Sequence, residues 1–440
     1  MKSSSSSNNT GERKTSHIAR GAMWMLSGQG IQMFAQFGYF LIIARVLGPA
    51  GYGTFIACTA LAAIFAPFSP LGTGHVLMKH ISRNPSLLPS YFGNTLLVTA
   101  GSGTVLAVLI SLLRPLVLPK AVSAEMVAAV AIADLVCAQI TVVCSQVFLA
   151  TENPRKSARL LIVSACLRLA AVLILVVTKT ATPMHWANFY AAASMLGAAF
   201  GVVTVSLSCA KPRLQWSLLL PSIREGFHFS TSIAAQTMYN DIDKTMLAKL
   251  STVQSAAIYA VAYRFIEAAM LPIRSLQSVT YSEFFRQGSH GVTTAYRFAQ
   301  RILRRSILYG AASSVVLWVA AGFLPKIMGS AYVESASALR WLCLLPLIKS
   351  VHSFLTDTLT GANFQSHRSW SQIAVAIFNV VINLWLIRVW SWRGAAWSSL
   401  ATDGLLVVIL YFIIRSHLRR EKSEANALAS FHQPVEEVAS

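Results

Sequence analysis

Runs of about 20 apolar residues recur from one end of this chain to the other, and nothing else constrains its fold as much. Hydrocarbon offers no water to backbone N–H and C=O groups, so such runs fold as helices that satisfy those groups internally. At about 20 residues per crossing, the sequence predicts twelve helices. The first six cover about 22–43, 53–78, 92–113, 122–149, 159–178 and 185–208; the second six cover about 227–249, 255–279, 304–325, 335–360, 370–389 and 395–415. The expected class is an all-α integral membrane protein in two six-helix halves, 22–208 and 227–416. A linker over 209–226 joins the halves, a Ser-rich basic tail covers 1–21, and a second tail covers 417–440.

Only 12% of the residues are charged and 55% are hydrophobic, where a soluble domain carries about 25% charged residues. The net charge of +20 does not form one basic patch, so nucleic acid is not the expected partner. Lys and Arg punctuate the apolar runs instead, and alternate connections are much richer in them, which places both termini on the cytosolic side. Two of the basic connections are long. Segment 209–226, with Trp216, suits a surface-lying amphipathic linker, and segment 281–303, with Phe284, Phe285, Tyr296 and Phe298, suits an interfacial helix. The six cysteines have neither paired nor metal-ligand spacing and read as small buried hydrophobes. There is no phosphate-binding lysine loop and no His-rich cluster, so neither an enzyme activity nor a resident cofactor or metal is expected.

The stretch Ala44–Phe55 separates the first two apolar runs. Gly48-Pro49 cannot continue a helix, and Gly51 and Gly53 allow close backbone packing around Tyr52, whose ring suits headgroup depth. A partial echo follows about 205 residues later, where Ala248-Lys249-Leu250 precedes Tyr259. Proline then falls in the next helix of both halves, at Pro67 and Pro70 and again at Pro272. With six helices each, the halves are parallel repeats, a transporter arrangement.

Charges inside the bilayer cost several kcal/mol unless they face water or a partner, which makes each a functional candidate. They are Asp134 and Arg168 in the first half; the second has Asp241, Asp243, Lys244, Arg264, Glu267, Arg274, Arg340, Lys349, Asp357 and Asp403. If Arg168, Lys244, Arg264, Arg274, Arg340 and Lys349 converge, they form a cationic cavity suited to an anion such as pyrophosphate. Arg274 and Arg340 can also snorkel to an interface. Glu267 lies three residues after Arg264, the spacing of an intrahelical ion pair. Asp243 and Asp134 are the candidates for H+ or Na+ coupling. Asp241-Ile242-Asp243 points its carboxylates to different helix faces, a poor metal site, and His75, His80, His185, His228 and His352 are single and read as interfacial.

These pieces in this order resemble polysaccharide-unit (Wzx-type, O-antigen or exopolysaccharide) flippases of the MOP superfamily, which also holds the MATE drug exporters and lipid II flippases. The resemblance is carried by Arg45, Gly48, Gly51, Tyr52 and Gly53, by Asn240 with Asp243-Lys244, and by Tyr259 and Arg264. It continues in Gly361-Ala362-Asn363, Asn379, Asn383 and Gly394. It departs from the family at Ala362, which separates a usually adjacent Gly-Asn, and around Tyr259, which lacks flanking glycines. The resemblance implies two six-helix bundles around a central cavity, working by alternating access in the bacterial inner membrane. The implied substrate is an undecaprenyl-pyrophosphate-linked oligosaccharide, moved for polysaccharide biosynthesis. Membrane lipid, a polysaccharide polymerase and chain-length or export proteins are the implied partners. A MATE-type multidrug or cation antiporter is the alternative, disfavoured by the basic excess. A membrane glycosyltransferase, polymerase or ligase is a further one, disfavoured by the short external connections.

Overall fold

The structure, a computed structural model, describes the backbone of residues 6–431 apart from residue 121. Side chains are described for residues 30–424 and 426, apart from 121, 232, 235, 236, 239 and 282. All described regular structure is helical, and by its contacts the chain forms two compact units, Met1–Ala257 and Ile258–Ser440. The sequence tails fall partly outside the described residues: 1–5 and 432–440 are not described, while residues 6–21 and 417–431 continue the first and last helices.

Unit 1 holds α1 (Ser6–Phe65), α2 (Thr73–Arg83), α3 (Leu88–Val117), α4 (Ala124–Ala131), α5 (Ala138–Ala150), α6 (Pro154–Val177), α7 (Pro183–Ser208) and α8 (Trp216–Leu250). The break expected at Gly48-Pro49 is present: Gly48 takes φ 67° and ψ 176°, a conformation glycine alone adopts readily, and splits α1 in two. Three residues beyond Pro49, Tyr52 does not turn to the headgroups. It is buried, its ring 5.8 Å from that of Phe40. At Gly53 a Cβ would lie 1.8 Å from the Val253 carbonyl oxygen, so this residue's missing side chain is what admits the backbone that follows α8. A π-turn over Ile132–Cys137 joins α4 to α5, and Asp134 lies inside it.

The connection before α8 is docked. Asn94 of α3 donates to the Gln215 carbonyl at 2.8 Å and accepts from the Gln215 amide at 3.0 Å, and the Arg213 amide donates to Pro89. At the far end of α8, Lys249 donates to the carbonyls of Pro115 and Leu118, meeting the unsatisfied C-terminus of α3. These ties account for α8 grouping with unit 1.

Unit 2 contains most of α9 (Val253–Ala269), then α10 (Leu271–Gly288), α11 (Val292–Ala320), α12 (Leu324–Met328), α13 (Val333–Leu342), α14 (Leu345–Gly361), α15 (Gln365–Trp390) and α16 (Trp392–Phe431). Helices α9 and α10 meet at 44° beside Pro272, and α13 and α14 at 44° beside Pro346, as expected of membrane helices interrupted by proline. Segment 281–303 is not a separate interfacial helix. It is the end of α10 and the start of α11, held together by Phe284 and Phe298 packing with Phe354. Asn363 ends α14 at φ +67°, a left-handed position that asparagine tolerates, and Ala362 supplies the preceding cap. Glu421 of α16 caps α11, accepting from the Thr293 amide at 3.0 Å.

Among the described residues, eight helices are long and apolar enough to cross a membrane, or ten if each bent pair counts as one crossing. The stretch Gly30–Phe68 has 39 residues. Straight, it would reach about 58 Å, twice the roughly 30 Å of hydrocarbon, so the break at Gly48 makes it two. Helix α8 is long enough, with 35 residues, but Asp241, Asp243, Lys244 and Lys249 make its end polar. The twelve helices of the sequence reading are reached only if α8 and both parts of α1 are counted as crossings as well. All six cysteines are free, and Cys166 faces outward where burial was expected.

Candidate functional site

Each unit holds an acid–base cluster, half-buried to buried, among apolar helices. In unit 1 the π-turn aims Asp134 at α7, where the Tyr190 hydroxyl donates to Oδ1 at 2.5 Å. The Arg168 guanidinium of α6 lies 5.0 Å from the centre of the Tyr190 ring, a cation–π distance, and its buried Nε has no hydrogen-bond partner among the described residues. Tyr190 belongs to an aromatic core with Phe55 and Trp186, which fixes its ring. Arg168 also lines a cavity of about 150 Å³ with Gln32 and Gln36 of α1, Thr141 of α5 and Ser194 of α7. The cluster thus offers an anion-binding guanidinium and a proton-accepting carboxylate beside one small polar space.

In unit 2, Lys349 and His352 stand three residues apart on one face of α14 and meet Asp403 of α16. Lys349 Nζ is 3.1 Å from Asp403 Oδ2, and its ammonium lies 5.8 Å from the centre of the Tyr263 ring. His352 Nε2 is 3.3 Å from Asp403 Oδ1, yet neither buried atom makes a hydrogen bond among the described residues. Along α16 the polar surface continues. Ser399 bonds the Tyr259 hydroxyl at 2.7 Å, and Asn379 donates to Ser398 and Thr402 while accepting from Asn383. The family-motif residues Tyr259, Asn379 and Asn383 therefore form the wall of hydrogen bonds beside this cluster. A buried ion pair contributes little net stability because desolvation offsets its attraction, so its presence in a membrane helix points to function.

Of the other cations named from the sequence, Lys244 lies in unit 1 and Arg264, Arg274 and Arg340 lie in unit 2. Lys244 is buried and pairs with Asp241 at 2.5 Å. Asp243 is also buried. Arg264 pairs with Glu267 at 3.0 Å, the intrahelical pairing its spacing allowed. Arg274 is exposed on α10, and Arg340 is exposed with its guanidinium 5.7 Å from the exposed Trp318 ring, the snorkelled position. Arg45 is exposed and Asn240 is half-buried. Gly51 packs on Pro183, and a Cβ at Gly394 would lie 2.1 Å from the Leu386 carbonyl oxygen in the turn between α15 and α16. Asp357 accepts from Gln277 at 3.0 Å.

Sequence reasoning passed over Tyr190 and His352 as site residues, and named Asp403 only as one of the charges inside the bilayer. For His352 a signal existed: its spacing from Lys349 puts both on one helix face. Tyr190 had none, because its partner is reached only through the π-turn. Among the described residues, no group of three His, Cys, Asp or Glu side chains is arranged to hold a metal ion.

A family model described as Polysaccharide biosynthesis protein matches residues 18–281, more than half of the chain. No curated protein matches the sequence. Among solved structures, the lipid II flippase MurJ in an inward closed conformation is similar with a TM-score of 0.71 at 11% identity, over 89% of this chain and 87% of that one. An inward-facing multidrug resistance MATE family transporter of the MOP superfamily has a TM-score of 0.69 at 14% identity, over 91% of this chain and 99% of that one. A MOP superfamily transporter from Pyrococcus furiosus, described as having a binding pocket of reverse polarity, has a TM-score of 0.62 at 13% identity, over 92% and 96%. At these identities the likeness is one of fold.

Proposed function

The chain belongs to the polysaccharide biosynthesis protein family, and from that premise we propose that it is a transporter that flips a lipid-linked oligosaccharide across the bacterial inner membrane. The substrate we assign is an undecaprenyl-pyrophosphate-linked repeat unit, moved by alternating access with both termini in the cytosol. The observation that carries the reading is the pair of buried clusters, Asp134–Tyr190–Arg168 and Asp403–Lys349–His352, each inside the apolar helices of its own unit. A membrane protein keeps such charges when ions or charged substrates use them.

In this reading Arg168 and Lys244 of unit 1, and Lys349 and Arg264 of unit 2, are each a candidate to bind the pyrophosphate by charge-assisted hydrogen bonds. Asp134 and Asp243 exchange H+ or Na+, and Asp403 with His352 joins them, since its unbonded Oδ1 faces an unbonded Nε2. The work is transport rather than catalysis, with no resident cofactor. The partners are membrane lipid and the proteins that polymerise, measure and export the chain. A MATE-type antiporter carries cations; basic side chains in both buried clusters favour an anionic substrate instead.

The test is translocation of a fluorescent undecaprenyl-pyrophosphate glycan in proteoliposomes, with and without a pH gradient, Na+ and membrane potential. Flipping that is lost in Lys244→Ala/Arg264→Ala supports the reading. Full flipping in that variant removes those residues from the site. Uptake of a cationic dye with no glycan flipping overturns the reading in favour of the antiporter.

A further inference from the structure

Unit 1 contains a second cavity, of about 350 Å³, where the turn after α1 meets α2, α5 and α8. Among the described residues, no Asp, Glu, Lys or Arg lines it. Its polar groups are neutral: Gln139 and Gln146 of α5, His75 of α2, and the hydroxyls of Ser230 and Thr237 of α8. The hydroxyls are engaged, Ser230 donating to Pro67 at 2.6 Å and Thr237 to Ile233 at 3.0 Å. The side-chain amides of Gln139 and Gln146 make no hydrogen bond among the described residues, nor does the His75 ring, which stacks 5.5 Å from Phe229.

Room has been made for these groups. A Cβ at Gly74 would lie 2.1 Å from Gln146 Oε1. One side is shut by backbone: a Cβ at Gly72 would lie 1.9 Å from the Gly226 carbonyl oxygen, and next to Gly226, Glu225 binds Lys79 at 2.6 Å.

What can occupy this space follows from its chemistry. An acyl chain would leave two amides and an imidazole without partners, at a cost of several kcal/mol each in hydrocarbon. A phosphate would find no counter-charge. The cavity asks for an uncharged molecule with hydrogen-bond donors and acceptors at its edge and an apolar face for Val142, Val143 and Ile233. A pyranose has that form. The volume lies at the small end of the roughly 300–1,000 Å³ of small-molecule sites, enough for one or two sugar rings. We infer that this cavity is a subsite for an uncharged sugar of the transported glycan, separate from the charged clusters; the inference rests on the transport reading above.

Direct binding tests it without transport. Saturation-transfer NMR on the full chain in phospholipid nanodiscs would use neutral disaccharides containing glucose, galactose or N-acetylglucosamine, with a glucuronic acid disaccharide as the charged comparator. At least one neutral disaccharide is expected to bind saturably, better than the charged one. Its affinity should fall at least tenfold in Gln139→Leu/Gln146→Leu and in Ala63→Leu, which narrows the cavity without touching the amides. Thermal unfolding reports whether each variant folds, and if the double variant does not, Ala63→Leu alone decides. No binding by any neutral probe, or binding unchanged by the folded variants, overturns the subsite and leaves the cavity to water. Glycan flipping by wild-type proteoliposomes is scored separately. Flipping with no disaccharide binding sinks the subsite alone, and binding with no flipping sinks the transport reading and leaves a neutral-sugar site with no transported glycan to serve.

Discussion

Tyr190 donates its hydroxyl to Asp134 at 2.5 Å from a ring packed into the aromatic core of unit 1, so the carboxylate is held by a rigid donor. Tyr190→Phe removes that donor and leaves a buried acceptor short of a bond, with an expected loss of about 1–3 kcal/mol of stability. Asp134→Asn can still accept the bond and should melt close to wild type. If Asp134 exchanges the coupling ion, the asparagine variant will lose the response of flipping to a pH or Na+ gradient. Thermal unfolding in detergent, read beside gradient-driven flipping, separates the two effects. An asparagine variant that still responds to the gradient would remove Asp134 from coupling.

The Lys349–Asp403 pair should behave as a unit. Removing one partner strands a buried charge, which costs about 3–5 kcal/mol, whereas replacing both with apolar groups of similar volume is near neutral. Asp403→Ala is therefore expected to be more harmful to folding than Lys349→Met/Asp403→Leu, and a double-mutant cycle on unfolding free energy measures the coupling. Additive effects would mean that the two side chains do not depend on each other. Transport should fail in both variants.

At the surface of unit 1, Glu225 binds Lys79 at 2.6 Å and faces His80 at 3.3 Å, and the hydrogen bond from Lys79 holds its carboxyl below the usual glutamate value of 4.5. A depressed carboxylate pKa gives stability that is fully present above the ordinary value and is lost as pH falls through the lowered one. Between pH 7 and about pH 5, wild type and Glu225→Gln should show parallel pH dependence. Below about 4.5 the wild type should lose stability faster. The pair is partly exposed, so the difference is small and should shrink further in high salt. Unfolding midpoints across the acid range, at low and high salt, give the answer, and parallel curves throughout would show the bridge contributes nothing.

How far the sequence could be read depended on whether a feature was local. The helices and the break at Gly48 follow from chemistry within a few residues and stand where expected, and the bends beside Pro272 and Pro346 have an equally local cause. So does the Arg264–Glu267 pair, which needs only one helix. Tyr52 was legible as an aromatic beside glycines, but which way it turned depended on Phe40, in the preceding part of α1. Asp403 and Lys349 were both visible as intramembrane charges, yet their meeting depends on how α14 packs on α16, which no local pattern records. The same holds for Gln139, Gln146 and His75, ordinary polar residues until α2 and α5 bring them around one cavity.

Glycines that look alike in sequence should respond very differently to one added methyl. At Gly53 a Cβ would fall 1.8 Å from the Val253 carbonyl oxygen, and at Gly394 it would fall 2.1 Å from that of Leu386. Both obstacles are backbone, which cannot rotate away as a side chain could, so the helices themselves must separate. Gly101, in the middle of α3, has nothing within 4 Å of the same position. There alanine meets no obstacle and reduces the conformational entropy lost on folding, a gain of roughly 0.5–1 kcal/mol. Gly53→Ala and Gly394→Ala are expected to lower folded yield and melting temperature sharply, while Gly101→Ala should match or exceed wild type. Fluorescence-detected size-exclusion chromatography with heating ranks all three in one experiment. A Gly53→Ala protein as stable as Gly101→Ala would mean that the close approach of Val253 to the second half of α1 does not exist.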